Sequence, residues 1–297
     1  MPALTEAKKE KARILEEIEF GPIEEDDLGQ LSGMISAMRP YSTDQVRVRD
    51  FSPDYFHWMY FRNPAGPAYT CCAKHHGKLV CSFAMAPKRV WIRDRVVMVG
   101  KTMEMFTHPD YQGMGLMSGT ANKVYESARA AGIDMWYITP SANSYPIFTK
   151  KWGCVEAFIN NYVIHVLRPS AMLSRVIRPP LLGWLSGLPM ELLLRAGRWF
   201  RSRPSGYGLD ERDSFGPEAD VLWERSKGEG IALVRDAEYL NWRYVDNPDE
   251  YRLFLCHGRS HEPAGILVLK HTLRRGRKVG EIVDFICPPG DAAVHRA

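Results

Sequence analysis

Apolar residues change their spacing several times along the chain, and each change marks an element. Residues 5–18 are mostly polar and predict an exposed helix running into a short strand over 18–23. From Glu24 to Met38 the apolar positions Leu28, Leu31, Met34, Ile35 and Met38 predict a helix with one buried stripe. Ser52 starts another helix, with Tyr55, Phe56, Met59 and Tyr60 three and four residues apart. It ends at Asn63-Pro64, because the residue before proline is pushed out of the helical region. Strands are predicted over 68–74, 78–85 and 90–106, turning at His76-Gly77 and Arg93-Asp94. Next come a loop, a helix over 116–131 stopped by Gly132, a buried strand over 135–139 and a short helix over 144–152. A strand pair over 154–167 closes this part. The first 167 residues thus predict an α+β fold: a mixed central sheet flanked by helices, with a parallel pair at its centre where a ligand crevice would lie.

Residues 168–206 break the pattern with an apolar run, Arg178 to Arg195, followed by the basic Arg198–Arg203. A bilayer span needs about 20 uninterrupted apolar residues. Three prolines and Glu191 interrupt this run, so it is expected to be a hydrophobic connector packed on the core. The alternative is an interfacial segment making peripheral contact with a membrane surface.

An internal repeat then divides the chain. Tyr55, Trp58, Tyr60, Asn63 and Pro64 recur as Tyr239, Trp242, Tyr244, Asn247 and Pro248, five identities at a constant offset of 184. Val99-Gly-Lys-Thr-Met-Glu104 is likewise echoed by Val279-Gly-Glu-Ile-Val-Asp284 at an offset of 180. Helix, meander and carboxylate in the same order predict two related halves: 1–167, then 207–297 beyond the connector. Only 13 residues follow Asp284, so the second half is expected to be partial, with no loop and helix of its own.

Composition narrows the partners. A net charge of +4 without a dense Lys/Arg block gives no support for nucleic acid. Six scattered cysteines in a long chain are expected to be buried, reduced thiols, and the charged N-terminus lacks a signal core, so a cytoplasmic protein is expected, with the inner membrane face as the variant. Cys71-Cys72 and His75-His76 invite a zinc reading, but neighbours in a strand point to opposite faces and no metal is expected.

The chemistry concentrates in Phe106 to Met117. A strand stops at His108-Pro109, Gly113 and Gly115 follow, and a helix begins. Consecutive N–H groups at a helix N-terminus can chelate a phosphate or pyrophosphate, and glycine lets the main chain approach it. No Lys-Ser/Thr follows, and the third glycine of a dinucleotide fingerprint is missing.

Gln112-Gly113-Met114-Gly115-Leu116-Met117, preceded by Thr107-His108-Pro109 and followed by Asn143 and Trp152-Gly153, resembles the loop of the GNAT superfamily of acyl-CoA-dependent N-acyltransferases. Met117 stands where the family prefers Gly or Ala. The resemblance covers roughly 20–167 and implies a GNAT-like sheet followed by a second, partial GNAT-like half. It also implies acetyl-CoA or another acyl-CoA as co-substrate, bound by Met105, Phe106, Thr107, Gln112, Gly113, Met114, Gly115, Leu116, Met117 and Asn143. A backbone N–H within Met105–Thr107 would hold the oxyanion. Glu104 becomes the candidate base, with a solvent-facing strand glutamate as the alternative. The family's usual acid, a tyrosine, is replaced by Thr149, leaving Tyr145 or solvent to protonate the thiolate.

The duplicated Trp-x-Tyr-x-x-Asn-Pro pattern looks like two-part GNAT-like proteins of bacterial polysaccharide biosynthesis, which implies a small-molecule amine acceptor such as an amino-sugar. Two other readings stay open: transfer to an amino acid, peptide or lipid-linked acceptor, and a module that binds CoA or glycan without turnover. Nothing in the sequence sets the oligomeric state.

Overall fold

The structure is a computed structural model that describes residues 2–38, 51–142, 144–158, 163–164, 166–201, 206–274 and 277–290. A polar helix, α1 (Pro2–Glu16), leads into β1 (Ile18–Gly21), and α2 (Leu28–Met38) follows one 3₁₀ turn. Ser52 caps α3 (Pro53–Phe61) by accepting the Tyr55 N–H at 3.2 Å. The meander β2 (Tyr69–His75), β3 (Lys78–Ile92) and β4 (Arg95–Thr107) turns at the two expected hairpins, where His76 and Arg93 take positive φ. Helix α4 (Leu116–Ala130) and the short β5 (Trp136–Tyr137) complete a sheet ordered β1-β2-β3-β4-β5.

Two expectations about this sheet change. β3 is one continuous strand through Pro87, since β2 stops pairing with it at Met85 and a later strand takes over from Val90. Pro87 therefore sits where the neighbouring ladder is interrupted, which is where a missing N–H costs least. The parallel pair, β4 with β5, lies at the sheet edge and not at its centre. β5 is half-exposed, not buried.

Beyond β5, residues 147–151 form a π-helical turn, and Trp152 packs on Phe83 and Tyr125. The strand pair expected over 154–167 is absent among the described residues, where Val155 is 91% exposed. Residues 159–162 and 165 lie outside the described residues. Alternating apolar residues there have no described neighbour to pair with, and alternation alone does not make a strand.

Two helices follow, α5 (Pro169–Val176) and α6 (Pro180–Arg201), packed on each other. They replace the expected core-packed connector, for their apolar side chains are largely exposed.

The second half repeats the first. β6 (Gly208–Arg212), α7 (Pro217–Ser226), β7 (Ile231–Leu233), α8 (Ala237–Tyr244), β8 (Arg252–His257), β9 (Pro263–Arg274) and β10 (Arg277–Ile286) follow in order. The sheet β6-β8-β9-β10 repeats β1-β2-β3-β4, all antiparallel. Asp236 caps α8 through the Tyr239 N–H as Ser52 caps α3. Asn63 accepts from the Ala65 N–H and Asn247 from the Asp249 N–H in the same turn.

The halves join where the repeats face each other. β7 pairs with β3 over Val90–Ile92, carrying the second half onto the first sheet. Trp58 and Trp242 stack with ring centroids 4.8 Å apart, and each indole N–H donates to the other's carbonyl, at 2.7 and 3.3 Å. These aromatic residues are core, as their helical spacing suggested.

Candidate functional site

Glu104 owes its position to a bulge. Met103 pairs with Ala84 and Phe106 with Ser82, so Glu104 and Met105 together oppose Phe83. The extra residue bends β4, and Glu104 takes φ +51, a left-handed conformation that costs a non-glycine residue about 1–3 kcal/mol. Tyr55 on α3 donates its hydroxyl to Glu104 Oε1 at 2.9 Å. The carboxylate is half-buried against α3, which replaces the alternative of a solvent-facing strand glutamate. Burial and the nearby Glu104 charge push the Tyr60 hydroxyl well above its ordinary range, and that hydroxyl has no partner among the described residues.

The same bend opens the sheet. β5 pairs with β4 only at Gly100–Trp136 and Lys101–Tyr137, and no described strand continues along β4 past that point. The last residues of β4, Met103 to Thr107, therefore present a backbone edge to a gap. An extended ligand with amide groups can pair with such an edge as a strand would.

The gap leads to the glycine loop. A 3₁₀ turn, Pro109–Tyr111, is followed by Gly113 at φ +73 and Gly115 at φ +82, and Gly115 caps α4. The Gly119 N–H closes the first turn onto the Gly115 carbonyl at 3.1 Å, so the N–H groups just before it precede the helical ladder. A Cβ at Gly113 or Gly115 would meet nothing within 4 Å, so the loop's concave side is open. Met114, Leu116 and Met117 anchor it from beneath in the cluster around Val80 and Cys81. Gln112 is turned back, its Nε2 donating to the Thr107 carbonyl at 3.3 Å, which ties the loop to the end of β4. The geometry suits an anion with a negative pair of groups. If the loop holds the acetyl-CoA phosphates, Gly113→Asp is expected to weaken acetyl-CoA binding about tenfold or more, because its carboxylate would repel them. Gly113→Asn, equal in shape and in tolerance of left-handed φ, should lose much less. Isothermal titration of both variants checks this, and equal losses would rule out the charge explanation.

Tyr145 lies on the segment after β5, 43% exposed, and donates its hydroxyl to Glu156 at 2.7 Å. That hydrogen bond and the Glu156 charge raise its pKa above the ordinary value. The Thr149 hydroxyl donates to the Tyr145 carbonyl at 2.9 Å within its own helical turn. Lys151 reaches Ser118 in the first turn of α4 at 3.3 Å, linking the segment to the loop. Asn143 lies outside the described residues.

Asp284 is held by Arg235 at 2.9 Å and by the Tyr244 hydroxyl at 2.9 Å, and these bonds give it a structural place in the second half. An open concavity in that half is lined by Tyr244, Asn247, Tyr251, Arg252, Leu269 and His271, and no residue of the loop or bulge lines it.

Sequence reasoning missed two features. Lys88 is 5% exposed at the seam, its Nζ 4.2 Å from the Trp242 ring, and burial with Lys101 and Arg243 nearby drives its pKa well down. Arg243 sits over the Trp58 ring at 5.6 Å, with Nη1 buried and unpartnered. Neither cation has a carboxylate partner among the described residues. A lone lysine in a strand sequence reads the same whether it is buried or solvated, so nothing local marked Lys88. The second feature is a cluster of Glu17, His75 and His76, with both imidazoles 3.0–3.1 Å from Glu17 Oε2 and His75 Nδ1 2.8 Å from the Tyr111 hydroxyl. Adjacent histidines converge because His76 has left the strand, at φ +50. The expectation that His75 and His76 point to opposite faces therefore does not hold: with Glu17 they offer ligand atoms within 4.8 Å of one another.

Four of the six cysteines, Cys71, Cys72, Cys81 and Cys256, are buried as expected, whereas Cys154 and Cys287 are half-exposed. Burial pushes Cys71 and Cys72 up to about 11 and raises Cys81 as well, so none of these three is poised as a thiolate nucleophile.

Residues 43–154, which contain bulge, loop and α4, match a family model described as Acetyltransferase (GNAT) domain. No curated protein matches the sequence. Among solved structures, the chain is similar to a probable N-acyltransferase from Enterococcus faecalis V583, at 10% identity and a TM-score of 0.58, over 91% of this chain and 58% of that one. It is also similar to Saccharomyces cerevisiae N-myristoyltransferase with bound myristoyl-CoA, at 10% identity and a TM-score of 0.54, over 91% and 63%. A predicted acetyltransferase with acetyl-CoA from Clostridium acetobutylicum aligns at 16% identity and a TM-score of 0.41, over 50% of this chain and 96% of that one. The first two matches run over 91% of this chain, so the fold shared with those structures takes in both halves. The chain spans about six-tenths of the length of those two proteins. The described residues contain no helix long and apolar enough to cross a membrane.

Proposed function

We propose that this protein is an N-acyltransferase that moves an acetyl or longer acyl group from acyl-CoA directly onto a primary amine. The observation that carries the reading is the path from the opened β4 edge, past Glu104, to the glycine-capped start of α4. We place the acyl-CoA-binding part in residues 1–167, the connector in 168–206 and the partial second half in 207–297. Pyrophosphate would sit on the loop N–H groups from Gly113 to Met117, with the pantetheine amides along Met105–Thr107. Glu104 takes a proton from the attacking amine, the new N–C bond forms as the C–S bond breaks, and CoA leaves as the thiolate. The raised pKa and the Glu156 bond make Tyr145 a poor acid, so solvent is the simpler proton source. Raised cysteine pKa values favour direct transfer over an acyl-enzyme.

Arg243 at the seam, whose buried Nη1 has no partner among the described residues, favours an acceptor with a phosphate or carboxylate. An amino-sugar of a cell-surface polysaccharide precursor that carries phosphate meets this requirement. An amino acid or peptide meets it through its carboxylate. Thiol release with acetyl-CoA and a panel of amines tests the reading. Phosphorylated or carboxylated amines are expected to give higher kcat/KM than neutral ones, and a preference for neutral amines would exclude the anion. No thermal stabilisation by saturating acetyl-CoA would remove the co-substrate and with it the function. Stabilisation without thiol release from any amine would leave the CoA-binding module as the reading.

A further inference from the structure

The α5–α6 hairpin is built inside out. The helices run antiparallel, and Gly183 and Gly187 lie so close to the α5 backbone at Leu173 and Ser170 that neither position has room for a Cβ. Four residues on, Glu191 is 8% exposed, accepts the Ser170 hydroxyl and pairs with Arg195 at 2.9 Å. Thus the face of α6 turned to α5 holds glycines and a carboxylate. The face turned away holds Leu181, Leu185, Leu192 and Leu193, which are 65%, 47%, 62% and 73% exposed, with Trp184 beside them. A helix pair folded for water places its leucines inside and its acid outside. Here the order is reversed over a helix of 22 residues.

The charge is equally one-sided. Residues 168–203 hold seven arginines, and the one acid among them, Glu191, is buried. Arg168, Arg175 and Arg178 are exposed at the α5 end of the hairpin.

We propose that the α5–α6 hairpin docks this protein on an anionic lipid bilayer, lying in the interface with its leucines and Trp184 in the acyl boundary and its arginines among the headgroups. An apolar face with exposed arginines at one end of the same hairpin fits such a surface, where apolar burial and attraction to anionic lipid act together. A second copy of this chain on the same face would bring arginine against arginine. The segment does not cross the bilayer, since no described helix is long and apolar enough. The proposal rests on α5 and α6 alone and is independent of the acyl-transfer reading.

Sedimentation of the full chain with phosphatidylcholine vesicles, with and without phosphatidylglycerol, tests it at low and raised NaCl. The protein is expected to pellet with the anionic vesicles and to be released by salt. Leu192→Glu with Leu193→Glu should weaken that binding about tenfold or more, while the acetyl-CoA thermal shift stays unchanged. Arg175→Glu with Arg178→Glu, on exposed positions, gives the same answer if the leucine variant fails to fold. Recovery of all protein in the supernatant would overturn the proposal, and so would equal binding to neutral vesicles. A dimer in light scattering that the leucine variant dissociates would overturn it in favour of a second copy.

Discussion

Replacing Glu104 by glutamine is expected to lower kcat by about 10²–10⁴-fold, the usual contribution of a positioned general base, with little change in acetyl-CoA affinity. Glutamine keeps the shape and can still accept from Tyr55, so the bulge and its left-handed turn should survive. What disappears is the group proposed to take the amine proton. Steady-state thiol release and an acetyl-CoA thermal shift on the same preparation separate the two effects. An undiminished rate would remove Glu104 as the base. Tyr55→Phe, which removes the 2.9 Å hydrogen bond but not the carboxylate, should cost far less and mainly shift the pH profile. It tests whether α3 positions the base.

The second large effect is on stability. Trp58→Ala is expected to cost about 3–5 kcal/mol, the usual range for truncating a buried aromatic. Trp58 is 2% exposed, stacks on Trp242 and donates to the Trp242 carbonyl at 2.7 Å, so truncation leaves a cavity and an unsatisfied buried acceptor at the seam. Trp242→Ala removes the reciprocal bond and should cost a similar amount. In the double variant the losses should fall short of additive by about 0.5–1.5 kcal/mol, since the stacked pair is lost only once. Urea denaturation measures all three. A loss under about 1 kcal/mol for Trp58→Ala would show that β7 on β3, and not the tryptophan pair, holds the halves together.

Much of this was legible locally. Ser52 read as a helix start, and His76-Gly77 and Arg93-Asp94 as hairpins, because each depends on one or two residues and their own backbone. The glycine loop was legible for the same reason. The repeat was visible because both halves keep the same aromatic and Asn-Pro positions at a fixed offset. Long-range consequences were not. Pro87 reads as a strand break until the gap between β2 and β7 along β3 is known. His75 and His76 diverge in an ideal strand and converge only because the chain turns at His76. Among the described residues of 154–167 no strand forms, and residues 159–162 and 165 of the expected pair lie outside them.

By itself, the sequence determined most of the elements, the glycine loop, the doubling of the helix-and-meander unit and the candidate carboxylate Glu104. Each of these is written in neighbours or in a fixed period. Only the tertiary structure decided what surrounds them: the bulge that turns Glu104 toward Tyr55, the opened edge of β4, the burial of Lys88 and of the Arg243 Nη1, and the outward leucines of α6. The physical reason is that burial, pairing and charge neutralisation belong to contacts between segments far apart in the chain, and a local pattern carries no record of which contacts form.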